Sequence, residues 1–197
     1  MARTAGSHAQ TTGPKVKAAA LTLFSRHGYA AVSMRQIAAE VGVQAGALYT
    51  YTPDKQTLLF SLMQDHMTEL LAEWGRYVSD TDPLARLLGF VRCHLDYHLP
   101  RREAVFISYM ELRNLTEENF AAIESLRKTY EDRLEDIVQT GISQGDFLVS
   151  DSKIATMAVI GLLKETSTWY RPDGRLSAAE LVELYQKMVL RVLGARS

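Results

Sequence analysis

Cysteine is nearly absent from this chain: of 197 residues only Cys93 carries a thiol. No internal disulfide can form, so packing alone must hold the fold, and a reducing cytoplasm suits it. No apolar run approaches the roughly 20 residues of a membrane span, and no secretory leader is visible. Strand-like alternation, internal repeats and low-complexity tracts are missing too. So are a glycine-rich phosphate loop, a paired catalytic carboxylate signature and a Ser-His-Asp arrangement. An enzyme is therefore not expected, and no cofactor is implied. What remains is a soluble protein of one or two domains, 47% hydrophobic, long enough to bury a sizeable core.

Excess charge of either sign is small, at a net −1, but unevenly placed. The first 55 residues carry +4 and the remainder −5. A basic end on an acidic body fits a protein that meets a polyanion with that end only, although a solvated charged face gives the same sum.

Apolar residues recur at helical spacing nearly throughout, which predicts an all-α protein of about nine helices. Residues 1–13, rich in small and polar types, are expected to form a mobile arm, and Pro14 to open the first helix, closed by Gly28. Ser33 with Gln36 fits a capping box that starts a short helix ending at Gly42. A second short helix is predicted from Gln44 to Thr50, and a long one from Lys55 to about Tyr77 after Thr52-Pro53-Asp54. Further helices are expected after Asp82-Pro83, near Pro100, and over 117–144, 152–170 and 177–193.

Two short helices joined at Gly42 make a helix-turn-helix, a unit that suits DNA because an α-helix fits the major groove. Ala45 and Gly46 let the backbone approach closely, and the Gln44 amide can pair with adenine. Arg35 can reach a guanine edge or a phosphate. Ser33 can cap its helix and hold a phosphate with the N–H groups there. Tyr49, Tyr51 and Lys55 would flank the groove as donors.

From Lys17 to Leu59 the chain resembles the DNA-binding domain of the TetR (tetracycline repressor) family, above all over residues 33–38 and 42–49. The resemblance implies a homodimeric repressor that binds double-stranded DNA at a palindrome and releases it when a small ligand enters the C-terminal part. It implies domains at 14–54 and 55–197, with Ser33, Tyr49, Tyr51 and Lys55 on phosphates and Arg35, Gln44, Ala45, Gly46 and Thr50 facing bases. Many members have His where Tyr51 stands and an aromatic residue where Thr50 stands, so base preference does not transfer. The alternative is a helical carrier or enzyme that never meets DNA.

In the body, the last two helices are apolar over much of their surface, and small residues Ala155, Ala158 and Gly161 permit a four-helix dimer seam. Phe90, Leu95, Phe106, Met110, Leu126, Tyr130, Leu163 and Trp169 are candidates to line an effector pocket, or to be close-packed core. The segments 111–115 and 169–174 resemble family members that control fatty-acid, sterol or other acyl-CoA degradation. That second resemblance implies an acyl-CoA or lipophilic acid as effector. Arg101, Arg102, Arg113 and Arg171 are then candidates for its phosphates or carboxylate, unless Arg113 and Arg171 simply pair with Glu111 and Asp173. His94 and His98 stand at metal-ligand spacing, but a second ligand cluster is lacking and no metal site is expected. Cys93 and His94 diverge on one helix, a poor arrangement for proton transfer.

Overall fold

The computed structural model describes residues 5–77 and 82–195. Among them are ten α-helical segments and no strand. These are α1 (Ala5–His27), α2 (Met34–Val41), α3 (Ala45–Leu48), α4 (Lys55–Tyr77), α5 (Pro83–His98), α6 (Arg102–Met110), α7 (Glu117–Gln144), α8 (Ser152–Lys164), α9 (Thr166–Trp169) and α10 (Ala178–Val192). Short 3-10 turns at Leu99–Arg101 and Leu112–Asn114 follow α5 and α6. Two of the ten segments are single turns, which leaves eight longer helices beside the nine expected.

Local chemistry explains most boundaries. The Asp82 carboxylate accepts the Ala85 N–H at 2.9 Å, with Pro83 in the first turn of α5. Asp151 does the same for Ile154 at the start of α8. Ser177 and Glu180 form a reciprocal capping box on α10. Gly145, at φ +81, takes the left-handed conformation that ends α7.

Two boundaries differ from the sequence reading. Ala5–Gly13, expected as an arm, is helical, and Pro14 lies inside α1; residues 1–4 of that arm lie outside the described residues. Ala and Gln favour a helix there, and Pro14 removes only one main-chain bond. The helix expected over 152–170 breaks at Glu165 into α8 and α9. Three successive hydroxyls turn back on the chain: Thr166 donates to Leu163 O, Ser167 to Lys164 O and Thr168 to Glu165 O. Such back-bonding competes with the helical ladder and bends it.

The chain divides into two compact units, residues 1–66 with 103–124, and residues 67–102 with 125–197. In the first, Val16, Ala20 and Phe24 of α1, Ile37 and Ala38 of α2, Leu48 of α3, and Leu58, Leu59 and Met63 of α4 are buried. In the second, one apolar cluster runs from Met67, Leu70 and Trp74 through Phe90, Tyr130, Leu134, Val159 and Leu163 to Leu181, Tyr185 and Val189.

Candidate DNA interface and effector domain

The helix-turn-helix is built from caps. Ser33 accepts the Gln36 N–H at 3.3 Å while its own N–H donates to the Gln36 side chain at 2.7 Å, so two orphan donors of α2 are satisfied together. Gly42, at φ +75, turns the chain out of α2, and Val43 N–H closes the turn on Ala38 O at 2.9 Å. Gln44 caps α3 with extended backbone and makes no capping bond with its side chain. Thr50 donates its hydroxyl to Ala47 O at 2.7 Å, which uses its one donor and leaves its oxygen only acceptor capacity.

This arrangement exposes Ser33, Arg35, Gln36, Gln44, Gly46, Ala47, Tyr49 and Thr50 around the turn, while Ile37, Ala38 and Leu48 point inward. Ala45 is half-buried. Tyr49 is 55% exposed, so its ring and hydroxyl are open to an outside partner. Gly46 has an ordinary φ, and a Cβ there would meet nothing within 4 Å. Nothing within the chain requires glycine at that position, so the space it leaves open is available to an outside partner.

Tyr51 and Lys55 sit differently from the rest. Tyr51 is half-buried and lines, with Pro14, Lys17, Thr57 and Ser61, a groove of about 540 Å³ beside α1 and α4. Lys55 donates to Tyr29 O at 2.9 Å and Val32 O at 2.8 Å, and its ammonium lies 4.2 Å from the Tyr29 ring centroid. Two of its three N–H groups therefore hold the loop between α1 and α2, a structural duty that helical periodicity did not reveal.

The residues expected to line an effector pocket divide between the units. Phe106, Met110 and Arg113 belong to the first and are exposed. In the second, Phe90 stacks on Tyr130 at 4.9 Å between ring centroids, and Leu95 and Leu163 are wholly buried. Leu126 packs against that cluster from a partly buried position, and Trp169 is exposed. A polar patch interrupts the apolar packing. Tyr130 Oη lies 3.1 Å from His94 Nδ1, the His94 ring stacks on His98 at 4.1 Å, and His98 Nδ1 donates to His94 O at 2.7 Å. Burial holds the His98 imidazole down to about 4, so it is neutral at pH 7.

Other candidates resolve into local roles. Burial, with Glu73 and Asp96 nearby, pushes the Cys93 thiol up to about 12, which keeps it protonated. Arg171 donates to Tyr170 O at 2.9 Å and Thr168 O at 3.2 Å, capping α9 rather than pairing with Asp173. Arg101 donates to Tyr97 O at 3.0 Å and lies over the Tyr97 ring. Glu111 takes the Tyr29 N–H and the Asn114 amide. Among the described residues no group of three or more His, Cys, Asp or Glu is gathered as for a metal. No described helix is long and apolar enough to cross a membrane.

Comparison with known proteins agrees with this geometry. Residues 17–62 match the family described as bacterial regulatory proteins, tetR family, and residues 80–193 match the tetracyclin repressor-like C-terminal domain. The transcriptional repressor KstR2 of Mycobacterium tuberculosis (strain H37Rv) is 27% identical over 196 residues, covering 96% of each chain. A solved tetR-family regulatory protein from Rhodococcus RHA1 superposes with a TM-score of 0.89 at 26% identity, over 95% of this chain and 99% of that one. AibR, solved in complex with isovaleryl coenzyme A and operator DNA, gives 0.84 at 25% identity, over 94% of this chain and 100% of that one. These relatives are transcriptional regulators. The chain belongs to the TetR family: it is a ligand-responsive, DNA-binding transcriptional repressor of a kind that works as a dimer.

Proposed function

We infer that this repressor answers to a coenzyme A thioester or a related lipophilic acid, and that it acts in the cytoplasm without catalytic activity of its own. The observation that carries the effector class is the full-length likeness to AibR, which was solved with isovaleryl coenzyme A and operator DNA. Within the second unit, Phe90, Tyr130 and Leu163 are packed core with Leu126 against them, so this reading requires that core to open around an acyl chain, with the His94–Tyr130 pair as its polar spot for a carbonyl.

On DNA, Arg35, Gln44, Ala45, Gly46 and Thr50 face bases, while Ser33 and Tyr49 hold phosphates. Their exposure around the turn supports this assignment. Lys55 can offer only its third N–H, and Tyr51 reaches the backbone from the groove beside α1. The dimer seam is the outward stripe of α8 (Ile154, Met157, Ala158, Gly161) with that of α10 (Leu184, Met188, Val192), all exposed on the single protomer. Effector binding shifts the pair of readers away from the 34–36 Å or so that separates successive major grooves. It can do so only through different affinity for the two states.

A thermal-shift screen against acyl-CoAs, free fatty acids and aromatic acids tests the effector class. A ligand at 100 times its Kd stabilises by roughly 2.7 kcal/mol, which the method resolves. A response confined to CoA thioesters is expected; silence across that series refutes the assignment and leaves DNA binding untouched.

A further inference from the structure

The turn after α6 is chain of the C-terminal family domain, yet residues 103–124 pack in the same compact unit as the helix-turn-helix. Within that turn Glu111 is only 7% exposed, a place where carboxylates are rare unless paired. Its Oε1 accepts the Tyr29 N–H at 3.1 Å, and its Oε2 accepts an N–H of the Asn114 side chain. Gln56 Nε2 then donates to Asn114 O at 2.7 Å. Lys55, the neighbour of Gln56, returns to Tyr29 by donating to its carbonyl. The contacts close into a ring through Tyr29, Glu111, Asn114, Gln56 and Lys55.

This ring is not what stability alone would select. The Glu111 carboxylate stands 3.6 Å from where a Gly28 Cβ would be, at the C-terminus of α1 and so at its negative pole. Gln56 Oε1 is left buried with no hydrogen-bond partner, because its amide must turn Nε2 toward Asn114. In exchange, both main-chain groups of a single residue, Tyr29, are fixed. An anion grips the Tyr29 N–H, a cation grips the Tyr29 carbonyl, and the same cation also holds Val32 O. One residue later Ser33 caps α2, which leads through Gly42 into α3.

We propose that Glu111 is a positioning residue for operator recognition: its carboxylate, with Asn114 and Gln56, sets the α1–α2 loop and hence the presentation of α2 and α3 to DNA. The proposal rests on the DNA-reading role of those helices. It gives the segment 111–115 a duty toward the reader, where sequence resemblance pointed to the effector.

The test uses the full-length protein. The wild type first selects a duplex from a random library; its affinity for that duplex and for a scrambled one of equal length is read by fluorescence anisotropy. Glu111→Gln keeps the size but turns an N–H donor toward the Asn114 amide, and Gln56→Leu opens the ring from the other side. Glu111→Gln is expected to weaken the selected duplex about tenfold or more, the scale of a lost hydrogen bond to a charged group, and Gln56→Leu about fivefold, the scale of a neutral one, with the scrambled duplex unchanged in both. The double variant is expected to be no weaker than the worse single one, since the ring acts as a unit. Amide exchange over 29–33 is expected to quicken in both, whereas an exposed control, Glu118→Gln, changes nothing. Unchanged affinity for the selected duplex overturns the proposal. So does equal weakening on both duplexes with a lowered melting temperature, which marks a merely structural role. If the wild type selects no duplex, the DNA reading itself fails; the exchange arm still decides the ring, and unchanged exchange over 29–33 refutes it.

Discussion

Replacing Met157 by Glu tests the dimer seam. Met157 sits mid-stripe on α8 and is already 45% exposed, so a carboxylate there costs the isolated protomer little. Its stripe neighbours Ile154, Leu184, Met188 and Val192 are exposed by 66, 43, 39 and 45%, an apolar face that a free protomer would leave in water. A two-fold seam counts each substitution twice. An unpaired charge buried there costs about 3–5 kcal/mol, or about 6–10 kcal/mol for the pair, so association weakens roughly 10⁴-fold or more. Lys153, one turn back, does not offset this, being held 3.5 Å from Glu135 and 3.6 Å from Glu131. Light scattering behind size exclusion at micromolar protein should give twice the 22.1 kDa chain mass for wild type and Met157→Leu, and the single mass for Met157→Glu. Circular dichroism should be the same for all three. A Met157→Glu protein that stays dimeric at micromolar concentration would refute the seam.

Other expectations concern the second unit. His98 titrates near 4 when folded against an ordinary 6.5, so between those values the unfolded chain binds a proton that the folded one does not. Stability is then full above pH 6.5 and lost as pH falls toward 4, by about 3 kcal/mol at ~1.4 kcal/mol for each pH unit. Urea unfolding at pH 7.5 and 5 should show about 2 kcal/mol of that loss in wild type and less of it in His98→Gln; equal losses contradict the assignment. A Cβ at Gly141 would overlap the buried Phe147 ring, so Gly141→Ala should cost about 1–3 kcal/mol and lower Tm by several degrees in calorimetry. An unchanged Tm would show that the ring moves freely. Cys93, buried and held protonated, should resist Ellman's reagent at pH 8 until denaturant is added. Rapid reaction of the native protein would contradict that environment.

What the sequence made legible is what short-range chemistry decides. Ser33 with Gln36, Asp82 with Pro83, and Gly42 and Gly145 announce their helix boundaries because each acts within four residues. The set of residues exposed around the turn follows for the same reason: the turn at Gly42 fixes which residues surround it. Legibility fails where partners lie far apart in the chain. Lys55 reads as an outward donor on a helical wheel, but its carbonyl partners stand 23 and 26 residues away. Glu111 reaches back 82 residues to Tyr29. The pocket candidates shared apolar character, yet packing assigns Phe106 and Met110 to one unit and Phe90 and Tyr130 to the other, a division that periodicity does not encode. The break at Glu165 was missed because Thr166, Ser167 and Thr168 are each tolerated in a helix and act only in concert.

Whether this repressor gives up DNA when it binds its effector is decided by anisotropy on the duplex the protein selects, titrated first with protein and then with isovaleryl-CoA and longer acyl-CoAs. A palindromic duplex is expected, with binding that weakens steeply with salt and release by at least one CoA thioester but not by free coenzyme A. Failure to enrich any sequence, or binding that no CoA thioester or lipophilic acid alters, would contradict that expectation.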